Sequence, residues 1–416
     1  LTDFTGSIAD MNVIFIEPGF PANQKQFVRA LAVTGANVIG IGERPWEWLD
    51  EETRSWLHSY QQISSVTEEA ALEWAVRKAQ SECWVDRMEV VVEAHVLPAA
   101  HVRERCGIPG TTTKTAYLCR DKVAMKEVLR KAGVPTAASD GVSTTADAID
   151  FAEQWGYPVI IKPRDAAGAS GTYRANSKSE LESVARECGL ADGAPVAIEE
   201  FVEGHEGFYD TLSVQGEVGH EFISHYYPNV LEAMRSRWVS PQIISTNRVG
   251  DTSYDEIKAM GKRVIDALGI HTSATHMEWF NGPKGLRFSE IGCRPPGVGQ
   301  WESYCAGNEF DLYREWALAV CHHKSDIAPS RRYACGIIAL RPDRDGHISG
   351  YDGIEDLFQQ YGDNIVEQYF PDPGTPTQGV EAGYMANAWL RVRHPDYDEL
   401  QNILNDIGER AQVRAH

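Results

Sequence analysis

The chain has 416 residues, 43% of them hydrophobic and 24% charged, and its 39 lysines and arginines face 60 aspartates and glutamates for a formal net charge of −21. That length exceeds one ordinary core and predicts about two to four domains or lobes of a soluble globular protein. So acidic a surface repels nucleic acid and anionic membranes, and any phosphate-bearing ligand has to be met by a local basic pocket. No stretch approaches about 18 uninterrupted apolar residues and no basic segment leads into an apolar one near Leu1, so a cytoplasmic location is expected. The eight cysteines show no CxxC and are scattered, as reduced and mostly buried thiols would be. Cys321-His322-His323 reads as the polar end of a helix.

Residues 1–10 precede the first strand-like run and are read as an extension outside the fold. From Asn12 to about Gly110, short β-rich runs alternate with helical periods: NVIFIEP, QKQFVRALAVTG, ANVIGIG, then EEAALEWAVRKAQ and MEVVVEAHV. This βαβ series predicts a parallel sheet with helices on both faces. The turn after the first strand is EPGFPANQ and carries no GxGxxG, so the sheet reads as a scaffold without a dinucleotide. Beyond a threonine linker, DKVAMKEVLRKAGVP sets Met125, Val128, Leu129 and Ala132 on one helical stripe that Gly133 and Pro135 end. There follow a helix (ADAIDFAEQWG), a strand (VIIKP), a small-residue loop (DAAGASGTY), a helix (SKSELESVAREC) and the strand-like PVAIEEFVEG. Strands are expected over 207–227, a helix over roughly 254–268, and then a hairpin turning at Asn281 to Gly285. A last lobe from about 326 mixes strands (YACGIIALRP, AGYMANAWLRV) with a terminal helix (YDELQNILNDIGERA).

Glu278 in THMEWF and Glu290 in LRFSEIGCRPPG stand on the two strands of that hairpin. Strand alternation puts Glu278 on a face with His276, and Glu290 with Gly292 and Arg294. Two carboxylates so opposed can hold Mg²⁺ while a neighbouring guanidinium meets a phosphate or carboxylate, although a lone strand glutamate more often faces solvent. Lys162 closes an apolar strand before Pro163, which aims its ammonium into a cleft, and Lys122 follows Asp121 at a helix start. In the loop from Asp165 to Tyr173, Gly168 and Gly171 with Ser170 and Thr172 let backbone N–H groups approach phosphate oxygens; a plain hairpin turn is the equal alternative. No GxxxxGK[ST] occurs, which argues against a P-loop nucleotidase.

The ordered set DKxxMKxxLxxAGVP, YPVIIKP, GASGT, AIEEFVEGHE, HMEW and SEIGCRPPG, over about residues 115–300, resembles the ATP-grasp superfamily, and within it the carboxylate-amine ligases of L-amino acid type. The resemblance implies an α/β architecture: a Rossmann-like parallel-sheet domain over 11–112, an ATP-grasp core over 113–325 with a lid lobe at 137–200, and a small α+β C-terminal lobe over 326–416. It implies ATP and Mg²⁺, with Mn²⁺ as the alternative metal. By the same resemblance Lys162 meets the α-phosphate side of ATP and Lys122 is the second nucleotide lysine, while Gly168, Ser170, Gly171 and Thr172 hold phosphates. Glu199, Glu200 and Val202 lie along the adenine, Glu206 takes the ribose hydroxyls, and Glu278 and Glu290 bridge the metal. Arg294 stabilises the transferring phosphoryl or holds the acyl carboxylate, and His276 either contacts substrate or is a satisfied structural histidine. Where many relatives carry a further metal-binding asparagine this chain has Gly292, so a water or substrate oxygen takes that place.

Enzymes of this kind activate a carboxylate with the γ-phosphoryl of ATP and let an amine displace phosphate from the acylphosphate. The implied partners are a small-molecule acid and amine, without nucleic acid or membrane, and a homodimer stays open. The stretch His225 to Gln242, with Arg235, Arg237 and Trp238, is the candidate acid or amine pocket. A biotin carboxylase-like component and a non-catalytic ATP-binding module remain as alternatives. A nicotinamide dehydrogenase lacks its glycine fingerprint.

Overall fold

The computed structural model describes residues 11–164 and 171–416. Its first layer is a parallel sheet in the order Leu57–Gln62, Asn37–Gly42, Asn12–Ile16, Arg87–Glu89. The apolar runs around Val13 to Ile16 and Val38 to Ile41 are buried because helices cover both faces of such a sheet. Two features depart from the sequence reading. The edge strand Leu57–Gln62 (LHSYQQ) carries almost no apolar signal, since only Leu57 of it is buried and pairing rather than burial holds it in place. The expected strand MEVVVEAHV ends at Glu89, and EAHV instead opens the helix Glu93–Cys106. Val96, Ala99, Ala100 and Val102 give that segment a buried helical face, which sets Glu93 in its first turn.

A second sheet, all antiparallel, runs Ser139–Val142, Val196–Glu200, Val159–Pro163, Tyr173–Ala175. The helices Thr145–Trp155 and Lys178–Glu187 pack on it through Ala148, Phe151, Leu181 and Ala185. It is a small layer with its own apolar core.

The third sheet has eight antiparallel strands, in the order Gly285–Gly292, Ser273–Gly282, His205–Val214, Glu217–Tyr227, Gln242–Ser245, Ala334–Leu340, Ala388–His394, Ile365–Tyr369. Three of these strands lie beyond residue 325, so the sheet runs straight through the boundary expected there. The pairing of Gln242–Ser245 with Ala334–Leu340 makes the junction. The terminal helix Tyr397–Arg410 covers that end through Leu400, Leu404 and Ile407. All eight cysteines are free thiols. No helix among the described residues is long and apolar enough to cross a membrane.

On one face of this sheet His205 and His225 stack at 5.1 Å between ring centroids, with His205 Nε2 and His225 Nδ1 2.9 Å apart. Tyr254 Oη lies 2.8 Å from the other nitrogen of His225. A hydrogen bond between two ring nitrogens needs one of them unprotonated. Burial, and then the neighbouring His205, push His225 down from its ordinary 6.5 to about 3, and burial lowers His205 as well. Depressed pKa values favour the neutral form in the fold, so this contribution is complete above pH ~6.5 and is lost as pH falls from there toward the folded value. Urea midpoints should therefore drop between pH 7 and pH 5, and the drop should shrink in His225→Gln; equal drops in both proteins would contradict the neutral pair.

Candidate functional site

Glu278 and Glu290 face each other in register across the hairpin, with a bulge between Glu278 and Trp279. Lys122 begins the helix Lys122–Lys131, whose N-cap Asp121 accepts from the N–H groups of Val123 and Ala124 and from Arg164. From there Lys122 Nζ reaches Glu290 Oε2 at 3.4 Å. Lys162, on the second sheet, stands 4.0 Å from the same oxygen and 3.0 Å from Glu199 Oε2. The other Glu199 oxygen, Oε1, takes Lys126 Nζ at 2.6 Å. Burial alone would raise the Glu199 carboxyl, but Lys126 and Lys162 outweigh it and hold the group down at about 2. Burial pushes Lys126, only 1% exposed, down to about 8 against the pull of Glu199.

His276 Nδ1 donates to Asp210 Oδ1 at 2.7 Å, and its Nε2 sits 3.5 Å from Glu278 Oε1. Burial would favour neutral imidazole, yet Asp210 and then Glu278 raise it to about 9, so the ring is an imidazolium between two carboxylates. Tyr304 donates its hydroxyl to the other oxygen of Asp210. Glu206 accepts from the Val230 N–H at 2.7 Å, and burial followed by the charge of Glu278 lifts it to about 8.

A cavity of about 450 Å³ between the second sheet and the hairpin is lined by Lys162, Thr172, Glu199, Glu200, Val202, Glu206, Glu278 and Glu290. Ile160, Phe280 and Phe288 give it apolar walls. Gly171 is described at the loop end with φ +67, close against Pro163; Gly168 and Ser170 lie outside the described residues. Lys122, His276 and Arg294 meet around a smaller neighbouring void of about 20 Å³, which Glu290 also lines. Arg294 and Glu93 then wall a larger cavity of about 1280 Å³, built with the turn Pro21 to Phe27 and the loop Pro295 to Gly299. Val298 holds a left-handed φ of 56 in that loop, a conformation costly for a β-branched residue.

The stretch from His225 to Gln242, expected to shape an acid or amine pocket, reaches the 450 Å³ cavity over part of its length. Asn229 to Glu232 and Arg235 line the 450 Å³ cavity, because the short helix Val230–Ala233 folds across its mouth. Arg237 is tied to Asp345, and Trp238 is 82% exposed. Sequence reasoning missed Lys126 and Glu93. The first had a signal, since it lies four residues from Lys122 on the face that buries Met125 and Leu129. The second had none: Glu93 accepts from Arg294 Nε at 2.6 Å and from Arg120 at 2.9 Å, partners far away in the chain.

Among the described residues no group of three or more His, Cys, Asp or Glu is arranged to hold a metal ion. The donors present are the facing pair Glu278 and Glu290, which suits a hard cation that completes its shell with water and phosphate oxygens.

Residues 127–310 match the family model for the ATP-grasp domain. An L-arginine-specific L-amino acid ligase of Bacillus subtilis is 30% identical over 220 residues, covering 51% of this chain and 52% of the relative. An alanine–anticapsin ligase of Bacillus subtilis (strain 168) is 27% identical over 236 residues, covering 51% of this chain and 48% of the relative. The chain thus spans about half the length of these curated relatives. The crystal structure of an L-amino acid ligase from Bacillus licheniformis superposes with a TM-score of 0.77 at 18% identity, covering 98% of this chain and 99% of that one, a likeness of fold. By residues 127–310 the chain resembles the ATP-grasp superfamily. Within it the chain resembles the L-amino acid ligases.

Removing Glu93 leaves two arginines without the carboxylate they share. Glu93→Ala should cost roughly 3 kcal/mol of stability, the scale for breaking a largely buried ion pair. Urea unfolding tests this, and a loss under about 0.5 kcal/mol, the range of an exposed pair, would show that Arg120 and Arg294 do not depend on it.

Proposed function

We propose that the chain is an ATP-dependent carboxylate-amine ligase that forms an amide or peptide bond through an acylphosphate, with release of ADP and phosphate, on amino acids or small carboxylic acids. One observation carries the reading: Glu290 borders both the lysine-lined cavity and the void where Arg294 meets Glu93, so a nucleotide site and a second-substrate site abut at the hairpin. A binding module has no need of that junction. The ligases among the relatives support the same chemistry.

In this reading adenine lies along Glu199 to Val202 against Ile160 and Phe288, and Glu206 meets the ribose. Lys122 and Lys162, with the phosphate loop around Gly171 and Thr172, neutralise phosphate oxygens. Glu278 and Glu290 would hold Mg²⁺, which when bound spreads the charge of the transferring group. The substrate carboxylate lies in the larger cavity beside Arg294 and attacks the γ-phosphorus; the bond to ADP breaks and an acylphosphate remains. The amine then attacks the acyl carbon and phosphate leaves. Positioning and charge neutralisation suffice for phosphoryl transfer, so no Ser or Cys nucleophile is required. The sheet with Val159–Pro163 and Val196–Glu200 covers the nucleotide and keeps water from the intermediate.

With ATP, Mg²⁺ and a panel of amino acids, turnover should yield ADP and phosphate, and hydroxylamine should trap a hydroxamate when the amine is withheld. AMP formation, or ADP without any trappable acyl species, would sink the acylphosphate route. Glu290→Gln should slow turnover about a hundredfold or more, roughly 3 kcal/mol of transition-state stabilisation. Lys162→Ala should weaken ATP binding measured by calorimetry, with the fold intact.

A further inference from the structure

Lys126 belongs to none of the roles above, yet it is the most deeply buried cation bordering the nucleotide cavity. Its carboxylate partner, Glu199, faces two lysines at once, Lys126 through Oε1 at 2.6 Å and Lys162 through Oε2 at 3.0 Å. Glu199 is itself 6% exposed, on the strand Val196–Glu200 next to the one that carries Lys162. A buried carboxylate left without a counter-charge is strongly unfavourable. Lys162 leaves Glu199 for a ligand phosphate at low cost only when another cation stays behind on Glu199. Lys126 is placed to be that cation: its ammonium lies on the far oxygen, on a helix anchored through Met125 and Leu129 in the core below. The wider cluster fits the same logic. Lys122 and Lys162 both reach Glu290, while Glu278 is engaged by His276.

We propose that Lys126 is a positioning residue for phosphate binding: by holding Glu199 it releases Lys162 to the nucleotide phosphates. The proposal rests on the nucleotide reading of the cavity and adds to it a division of labour among the lysines. Its consequence is selective. Lys126 governs how strongly phosphates are held and leaves the nucleoside contacts alone, and its absence leaves Lys162 as the one cation on Glu199 among the described residues.

The test is calorimetric affinity for adenosine and for ADP with Mg²⁺ in the wild-type protein, Lys126→Met, Lys126→Arg and the double variant Lys126→Met with Glu199→Gln. Lys126→Met should weaken ADP at least tenfold and leave adenosine within threefold, and Lys126→Arg should recover most of the loss. The double variant should bind ADP better than Lys126→Met, because an uncharged Glu199 position no longer retains Lys162. It also removes the unpaired buried carboxylate, so it reports even where Lys126→Met folds poorly. Equal losses for adenosine and ADP, unchanged ADP affinity in Lys126→Met, or a double variant no better than the single one would each overturn the proposal. A wild-type protein that binds neither ADP nor ATP would instead remove the nucleotide reading, and this role of Lys126 with it.

Discussion

The buried ion-pair chain Lys126–Glu199–Lys162–Glu290–Lys122 is the interaction on which the rest of the site depends. Its members come from three parts of the fold: a helix resting on the core, the small four-stranded sheet, and the hairpin of the large sheet. Ammonium and carboxylate groups this far from water are tolerable only when they meet one another. Lateral displacement of the small sheet would strand Glu199 or Lys162, so charge pairing sets the register in which sheet, helix and hairpin enclose the cavity. The small sheet keeps an apolar core of its own.

The same chain gathers three lysines at one point of an acidic protein. A net charge of −21 disfavours anions at long range, and screening confines the remedy to short distances. Lys122, Lys126 and Lys162 come together at Glu199 and Glu290, where the proposed phosphates lie. On the opposite side of the hairpin Glu93 plays a comparable part for Arg120 and Arg294, fixing a guanidinium at the edge of the larger cavity. His276, held between Asp210 and Glu278, links the two sides.

Much of this was legible in the chain itself, because the features that carry it are local. Register pairing of Glu278 with Glu290 follows from two strands and a short turn, and the capped start of the Lys122 helix follows from Asp121. Period-two and period-3.6 patterns located the strands that bury both faces and the helices that cover them. Lys162 closing an apolar strand and the order of motifs were enough to indicate the ATP-grasp fold. Lys126 was readable in principle, since i and i+4 share a helix face, but a lysine on an apolar stripe is ordinarily taken to stretch toward solvent.

Tertiary structure alone decided the remainder. Glu93 and Arg294 are 201 residues apart, and no spacing rule connects them. The strand Leu57–Gln62 exists through edge pairing that leaves no hydrophobic trace, and the strands beyond residue 325 join the large sheet because Ala334–Leu340 finds Gln242–Ser245. The segment His225 to Gln242 has the composition of a substrate pocket but turns onto the first cavity, since the helix Val230–Ala233 ties back to Glu206 through the Val230 N–H. Local pattern specifies which residues are able to carry charge chemistry, and the burial of those charges, a property of the whole fold, decides which of them meet.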